Sequence, residues 1–195
     1  MLLVRGMRRK ANVSGETDPV RRERADDESP FIDGSLRVRA AEAHDAPVVY
    51  GFIKELARYE GLSDRVTASE ADIAGALFGS GLLRASIAWV ETETHSGPES
   101  WSRGEAPAGF ILYFANFSTF RGRVGFYVED VFVDERFRGR GIAHALFGAV
   151  AAEARRSGAF CLQWAVLDWN ERAKGFYRSI GGARMDGWEL WRMDI

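Results

Sequence analysis

Residues 131–150 constrain this chain more than any other stretch. Val131, Phe132 and Val133 close an apolar strand, and Asp134 to Arg138 turn the chain. Ile142, Leu146, Phe147 and Val150 then recur at the spacing of a buried helical face. Gly139 and Gly141 therefore fall at a strand-to-helix junction. A helix's first amides lack intrahelical acceptors, and its dipole concentrates positive potential there. Glycines let a ligand approach the backbone, and Arg138 and Arg140 add charge, so the segment suits a pyrophosphate. Gly-x-Gly alone reads as an ordinary connection with solvated arginines; strand, arginines and amphipathic helix together point to an anion site. The phosphate-loop pattern ending in Gly-Lys-Ser/Thr is absent, and His144 stands where a dinucleotide fold would place Gly or Ala.

The rest of the chain supplies a domain around this junction. Residues 1–34 mix Arg with Asp and Glu, hold Phe31 as their one aromatic, and show no periodicity. They read as a flexible tail that cannot bury enough surface to offset its ordering entropy. Residues 35–195 read as one folded domain. Leu36, Val38 and Ala40 alternate as a strand. Asp45 offers an N-cap and Pro47 an early helical position for a helix bearing Val49, Phe52, Ile53, Leu56 and Tyr59, which ends at Gly61. Thr67 and Glu70 form a capping-box pattern for a second helix, stopped by Gly79 or Gly81. Leu83 to Val90 reads as a strand and the polar stretch Thr92–Pro107 as a surface loop. Gly109–Phe117 and Gly125–Val133 suggest an antiparallel hairpin. A helix over 141–157, a strand over 160–167, a helix over 171–180 and a strand over 188–194 complete the chain. The fold class is α+β (mixed α/β), with a central, partly antiparallel twisted sheet flanked by helices.

Composition narrows the function classes. The net charge of −2 gives no global reason to bind nucleic acid or an anionic membrane, and no apolar run is long enough to span a bilayer. The single cysteine, Cys161, cannot form an internal disulfide, which suits a reducing cytoplasm. Cys161 begins an apolar strand with no His nearby in sequence and reads as a structural cysteine, not a nucleophile. No Cys/His cluster suggests a metal.

Arg138-Gly139-Arg140-Gly141-Ile142-Ala143 resembles the Arg/Gln-x-x-Gly-x-Gly/Ala signature of the GNAT acetyltransferases. Asp168-Trp169-Asn170-Glu171 and Gly175-Phe176-Tyr177-Arg178 resemble that family's later Asn…Phe-Tyr motif. Phe52–Glu60, Val128–Val133 and Gly187-Trp188 make the chain similar to the diamine (spermidine/spermine) acetyltransferase branch and its thialysine-acetylating relatives, over about Leu36 to Ile195. The resemblance implies a GNAT fold, acetyl-CoA as cosubstrate, a small-molecule amine as acceptor, and a homodimer. It implies that the backbone of Val131, Phe132 and Val133 binds the pantetheine arm, and that Arg138 to His144 hold the pyrophosphate. Asn170, Glu171, Arg172 and Ala173 would line the other side of the cleft. Tyr177 matches the catalytic tyrosine, and Tyr59 and Glu60 match substrate-holding positions. Asp186 stands where the polyamine enzymes usually carry Glu, and the acid before Trp169 is likewise the shorter Asp168, which weakens the case for spermidine-length recognition.

The chemistry gives these residues roles. An alkylamine with a pKa of about 10.4 is neutral in fewer than about one molecule per thousand at pH 7, so a proton acceptor helps it attack a thioester. Glu129, just before the cofactor strand, can attract the cation and receive its proton; alone it reads equally as a solvated strand-end acid. Tyr177 can protonate the departing sulfur; alone, Phe176-Tyr177 reads as ordinary packing on a short helix. Trp169, Asp168 and Asp186 could extend an acidic, aromatic-lined pocket for a second cationic centre. Two other readings stay open: a protein lysine or N-terminal acetyltransferase, and a non-catalytic acyl-CoA sensor.

Overall fold

The computed structural model describes residues 36–95 and 101–195; the expected tail, 1–34, lies outside them. Five strands form one sheet in the order β1 (Leu36–Ala40), β2 (Arg84–His95), β3 (Trp101–Ser118), β4 (Arg123–Val133) and β5 (Leu162–Trp164). Neighbours pair antiparallel except β4 and β5, which run parallel. Helices α1 (Ala46–Glu60) and α2 (Glu70–Ala74) accompany one face, while α3 (Ile142–Arg156) and α4 (Glu171–Ser179) accompany the other. This is the mixed α/β class expected, and among the described residues no helix is long and apolar enough to cross a membrane.

Alternation along β3 builds both cores. Phe110 and Leu112 face α1, joining Val49, Phe52, Ile87 and Phe132. Ile111 and Tyr113 face α3, joining Val128, Leu146, Phe147 and Val150. A strand covered on both faces reads as a continuous apolar run, which is why Gly109–Phe117 carries so little polar character. Gly109 has a steric reason to lack a side chain: a Cβ there would sit 2.6 Å from the Phe132 carbonyl oxygen and 3.2 Å from Val133 Cα.

Four boundaries differ from the sequence expectation. The polar stretch expected as a loop over Thr92–Pro107 instead extends the β2–β3 ladder to His95↔Trp101. Alternating Glu and Thr at 91–94 suits an extended ribbon, and a ladder's backbone bonds need no apolar face. The cap of α2 is Ser69 with Asp72, not Thr67 with Glu70: Ser69 Oγ accepts from the Asp72 amide (3.2 Å) and Asp72 accepts from the Ser69 amide (2.8 Å). Asp45 does precede α1, but its buried carboxylate accepts from the Glu42 amide (2.8 Å) and from Arg39 (2.5 and 2.9 Å) instead of capping that helix. The Arg39 guanidinium accordingly holds the Asp45 pKa below the ordinary carboxylate range. Finally, β5 is shorter than 160–167, and residues 188–194 form no strand.

Gly109→Ala should lower unfolding stability by about 1–3 kcal/mol in urea titrations, the usual range for forced overpacking. Gly104→Ala, where a Cβ meets only Thr92 Oγ1 at 3.9 Å, should change it little.

Candidate active site

The site begins with an irregularity in β4. Leu112 pairs with Asp130 while Tyr113 pairs with Val128, so Glu129 is an extra residue on that strand, a β-bulge. Upstream, Phe126 and Val128 face the α3 core; downstream, Val131 and Val133 take that side and Phe132 turns to α1. One inserted residue has exchanged the two faces. Asp130, two positions before Phe132, is thereby carried to the α1 side. Pairing with β5 also stops here, at Val128↔Trp164, so the strands diverge.

The divergence opens a cavity of about 600 Å³. One wall is β4 from Val128 to Val133, and the opposite wall is Trp164 to Leu167 with Asn170, Ala173, Phe176 and Tyr177 of the α4 region. Its floor is the start of α3. Gly141 is the N-cap of α3 in the left-handed conformation (φ 75°), and Gly139 is also left-handed (φ 80°), a backbone that L side chains rarely adopt. The helical ladder opens with the Ala145 amide on Gly141 O (3.1 Å). The earlier amides of Ile142, Ala143 and His144 thus have no helical acceptor, and all three residues line the cavity. This end can hold an anion.

Arg138 braces the turn. Its Nε donates to Val133 O (3.1 Å), its Nη1 to Glu135 (2.9 Å), and its guanidinium lies 5.0 Å from the Tyr59 ring centroid. Asn170, nearly buried, accepts from the Ala173 amide (3.0 Å) and so caps α4. That cap places Phe176 and Tyr177 against Phe147 and Trp164; the Tyr177 and Trp164 centroids are 5.0 Å apart.

The other end of the cavity is acidic. Glu60 from the last turn of α1, Glu129 and Asp130 all line it. Burial, with the charges of Glu129 and Glu60 added, pushes the Asp130 pKa up to about 6. Burial raises Glu60 as well. Tyr177 is pushed up to about 12 by burial and by the Glu60 charge, so its hydroxyl keeps its proton at neutral pH. A protonated phenol and a carboxyl titrating near neutrality thus share one cavity, which suits proton transfer in both directions.

Most sequence-expected site residues meet here: Tyr59, Glu60, Glu129, Val131, Phe132, Val133, Arg138, Gly139, Gly141, Ile142, Ala143, His144, Asn170, Arg172, Ala173 and Tyr177 all line the cavity. Four others do not. Arg140 is exposed, its guanidinium 5.7 Å from the Phe137 ring centroid. Glu171 points outward and pairs with Lys174 (2.8 Å). Trp169 is half exposed, 6.2 Å from Tyr59 between ring centroids. Asp186 is 93% exposed and 3.7 Å from Arg184, because no C-terminal strand carries it back to the sheet. Asp130 and Trp164 were missed as site residues. Asp130 stood in a quoted motif, but only the bulge directs it into the cavity.

The GNAT acetyltransferase family model matches residues 64–181, well over half of the chain. The chain belongs to the GNAT acetyltransferase family. It is similar to the thialysine N-epsilon-acetyltransferase of Bos taurus, 34% identical over 82% of this chain and 92% of that one. It is also similar to an L-ornithine N5-acetyltransferase of Arabidopsis thaliana, 28% identical over 80% of this chain and 83% of the relative. An integron cassette protein of V. cholerae shares the fold at a TM-score of 0.62 with 25% identity, covering 82% of this chain and 93% of that one. A soil-metagenome aminoglycoside acetyltransferase superposes at 0.67 with 14% identity and speaks for the fold alone. The chain is therefore an acetyltransferase enzyme of the GNAT type.

A carboxyl whose folded pKa lies above its unfolded value costs stability as pH rises through that interval. Asp130→Asn should match the wild type near pH 4 and exceed it by about 2 kcal/mol above pH 7 in pH-resolved melts. A gap independent of pH would contradict the burial of a chargeable group at this position.

Proposed function

We propose that the enzyme transfers an acetyl group from acetyl-CoA to the terminal amine of a small molecule, a diamine or an ornithine- or thialysine-like amino acid. One observation carries this reading: a single cavity joins the start of α3, with its free amides, to the carboxylates of Glu60, Glu129 and Asp130. The first end fits the pyrophosphate of CoA. Between them, the unpaired edge of Val131–Val133 offers backbone donors and acceptors to the amide-containing pantetheine arm. The acidic end fits a cationic amine, in keeping with the thialysine and ornithine named for the relatives.

In this mechanism Glu60 and Glu129 draw the ammonium group in, and the Glu129–Asp130 pair takes its proton. Asp130, with a pKa of about 6, is the better matched of the two to work near neutral pH. The neutral nitrogen attacks the thioester carbonyl carbon, and the carbon–sulfur bond breaks. Tyr177 Oη gives its proton to the departing sulfur. Tyr59 with Trp169 would touch only an acceptor long enough to reach beyond the cavity. A cytoplasmic location, consistent with the lone Cys161, belongs to the same reading.

Three measurements test it. Tyr177→Phe should lower kcat by roughly 10²-fold or more while leaving acetyl-CoA affinity unchanged; full activity removes the assigned acid. Arg138→Ala, which frees the phosphate-binding turn from Val133 O, should weaken acetyl-CoA binding by roughly 1–3 kcal/mol by calorimetry. Wild-type kcat/KM should rise as pH passes about 6, and Asp130→Asn should abolish that limb. CoA release with putrescine, ornithine, lysine, thialysine, spermidine and a peptide identifies the acceptor. Strict dependence on peptide would mean a protein acetyltransferase, and CoA binding without turnover of any amine would mean a sensor.

A further inference from the structure

The C-terminal nine residues bury almost nothing. Trp188, Leu190, Trp191 and Met193 are between 71% and 87% exposed, and Ile195 ends the chain in solvent. The two tryptophans alone present on the order of 400 Å² of side-chain surface. That is about half of the roughly 800 Å² each partner buries in a standard interface, before Leu190, Met193 and Ile195 are added. A patch of this size is more than a soluble monomer ordinarily leaves wet.

The surroundings say where the segment is used. Its stem is fixed beside the sheet: Gln163 of β5 donates to Met185 Sδ (3.6 Å), and Gly187 (φ 82°) turns the chain. Beyond β5 the sheet gains no further strand among the described residues, so that edge is open. In extended form, Trp188 and Leu190 would face one way and Trp191 and Met193 the other. A segment apolar on both faces can cover its own domain with one face and still needs a second body for the other.

We infer that this segment is a docking surface for the same segment of a second copy, the two meeting across a two-fold axis. Such an interface must match itself. Laid antiparallel about Leu190, residues 188–192 do so. Leu190 meets the partner's Leu190, and Trp188 meets the partner's Arg192, a cation for the indole face. Leu190 also lines the cavity of its own chain, so the partner's segment closes the β5 side of the cavity mouth. This deepens the homodimer implied by the family resemblance by naming its contact.

Light scattering at micromolar concentration should give the wild type twice the 21.7 kDa chain mass. Trp191→Glu with Met193→Glu should give a single chain mass with an unchanged circular dichroism spectrum. Because that variant replaces two apolar groups, a second test leaves them in place. Leu190→Cys in a Cys161→Ser background should form a disulfide-linked dimer under mild oxidation. A monomeric wild type, a double variant that stays dimeric, or a Leu190→Cys protein that fails to cross-link would overturn the inference. Mass is read without substrate, so the result stands whether or not the amine chemistry is as proposed.

Discussion

Backbone hydrogen bonds that β4 does not make determine most of what this molecule can do. The strand pairs along β3 throughout, but with β5 only as far as Val128. Beyond that point its second edge faces a cavity instead of a neighbour. Backbone polar groups need partners, and a fold normally closes such an edge with another strand or covers it. Here the opposing wall is made of side chains from α4 and the stretch after β5. The edge is left able to pair with something that brings its own amides. The start of α3 presents the same situation in another form, with donors that the helix itself cannot use.

Three pieces of local chemistry keep the gap open and shaped. The Glu129 bulge bends β4 and reverses its faces. Arg138 ties the turn after β4 to the Val133 carbonyl, fixing where the glycines lie. Asn170 caps α4 and holds Tyr177 in an aromatic cluster with Trp164, Phe147 and Phe176. The acidity of the site follows from the same geometry. Asp130 is buried because the bulge turned it inward, and it feels Glu129 and Glu60 because β4 passes the end of α1 there.

Local signals carried much of this in the sequence. The α3 junction was legible because strand, glycines and helical periodicity are all encoded within twenty residues. The heptad-like face of α1 and the apolar runs of β3 and β4 were legible for the same reason. What was not legible depends on pairing at a distance. The extra residue at Glu129 is defined only against Leu112 and Tyr113 on another strand, so Asp130 could not be assigned a side. The β2–β3 ladder extends through residues whose composition signals a loop, because ladder bonds belong to the backbone. The capping chemistry near residue 70 was recognised two positions early, since Thr67, Ser69, Glu70 and Asp72 offer two competing boxes. Asp186 was expected near the substrate on the assumption of a final strand that the described chain does not form.

The bulge has one more implication, which concerns how such a chain tolerates change. Point substitutions along β4 alter one side chain at a time, but loss of the single residue Glu129 would shift the frame of everything after it. Phe132 would be thrown from one core into the other, and Asp130 would face the wrong helix layer. Length in this strand is therefore held far more tightly than identity. Natural variation in acceptor preference should be sought in which side chains occupy positions 129 and 130, not in insertions or deletions between Tyr127 and Val133.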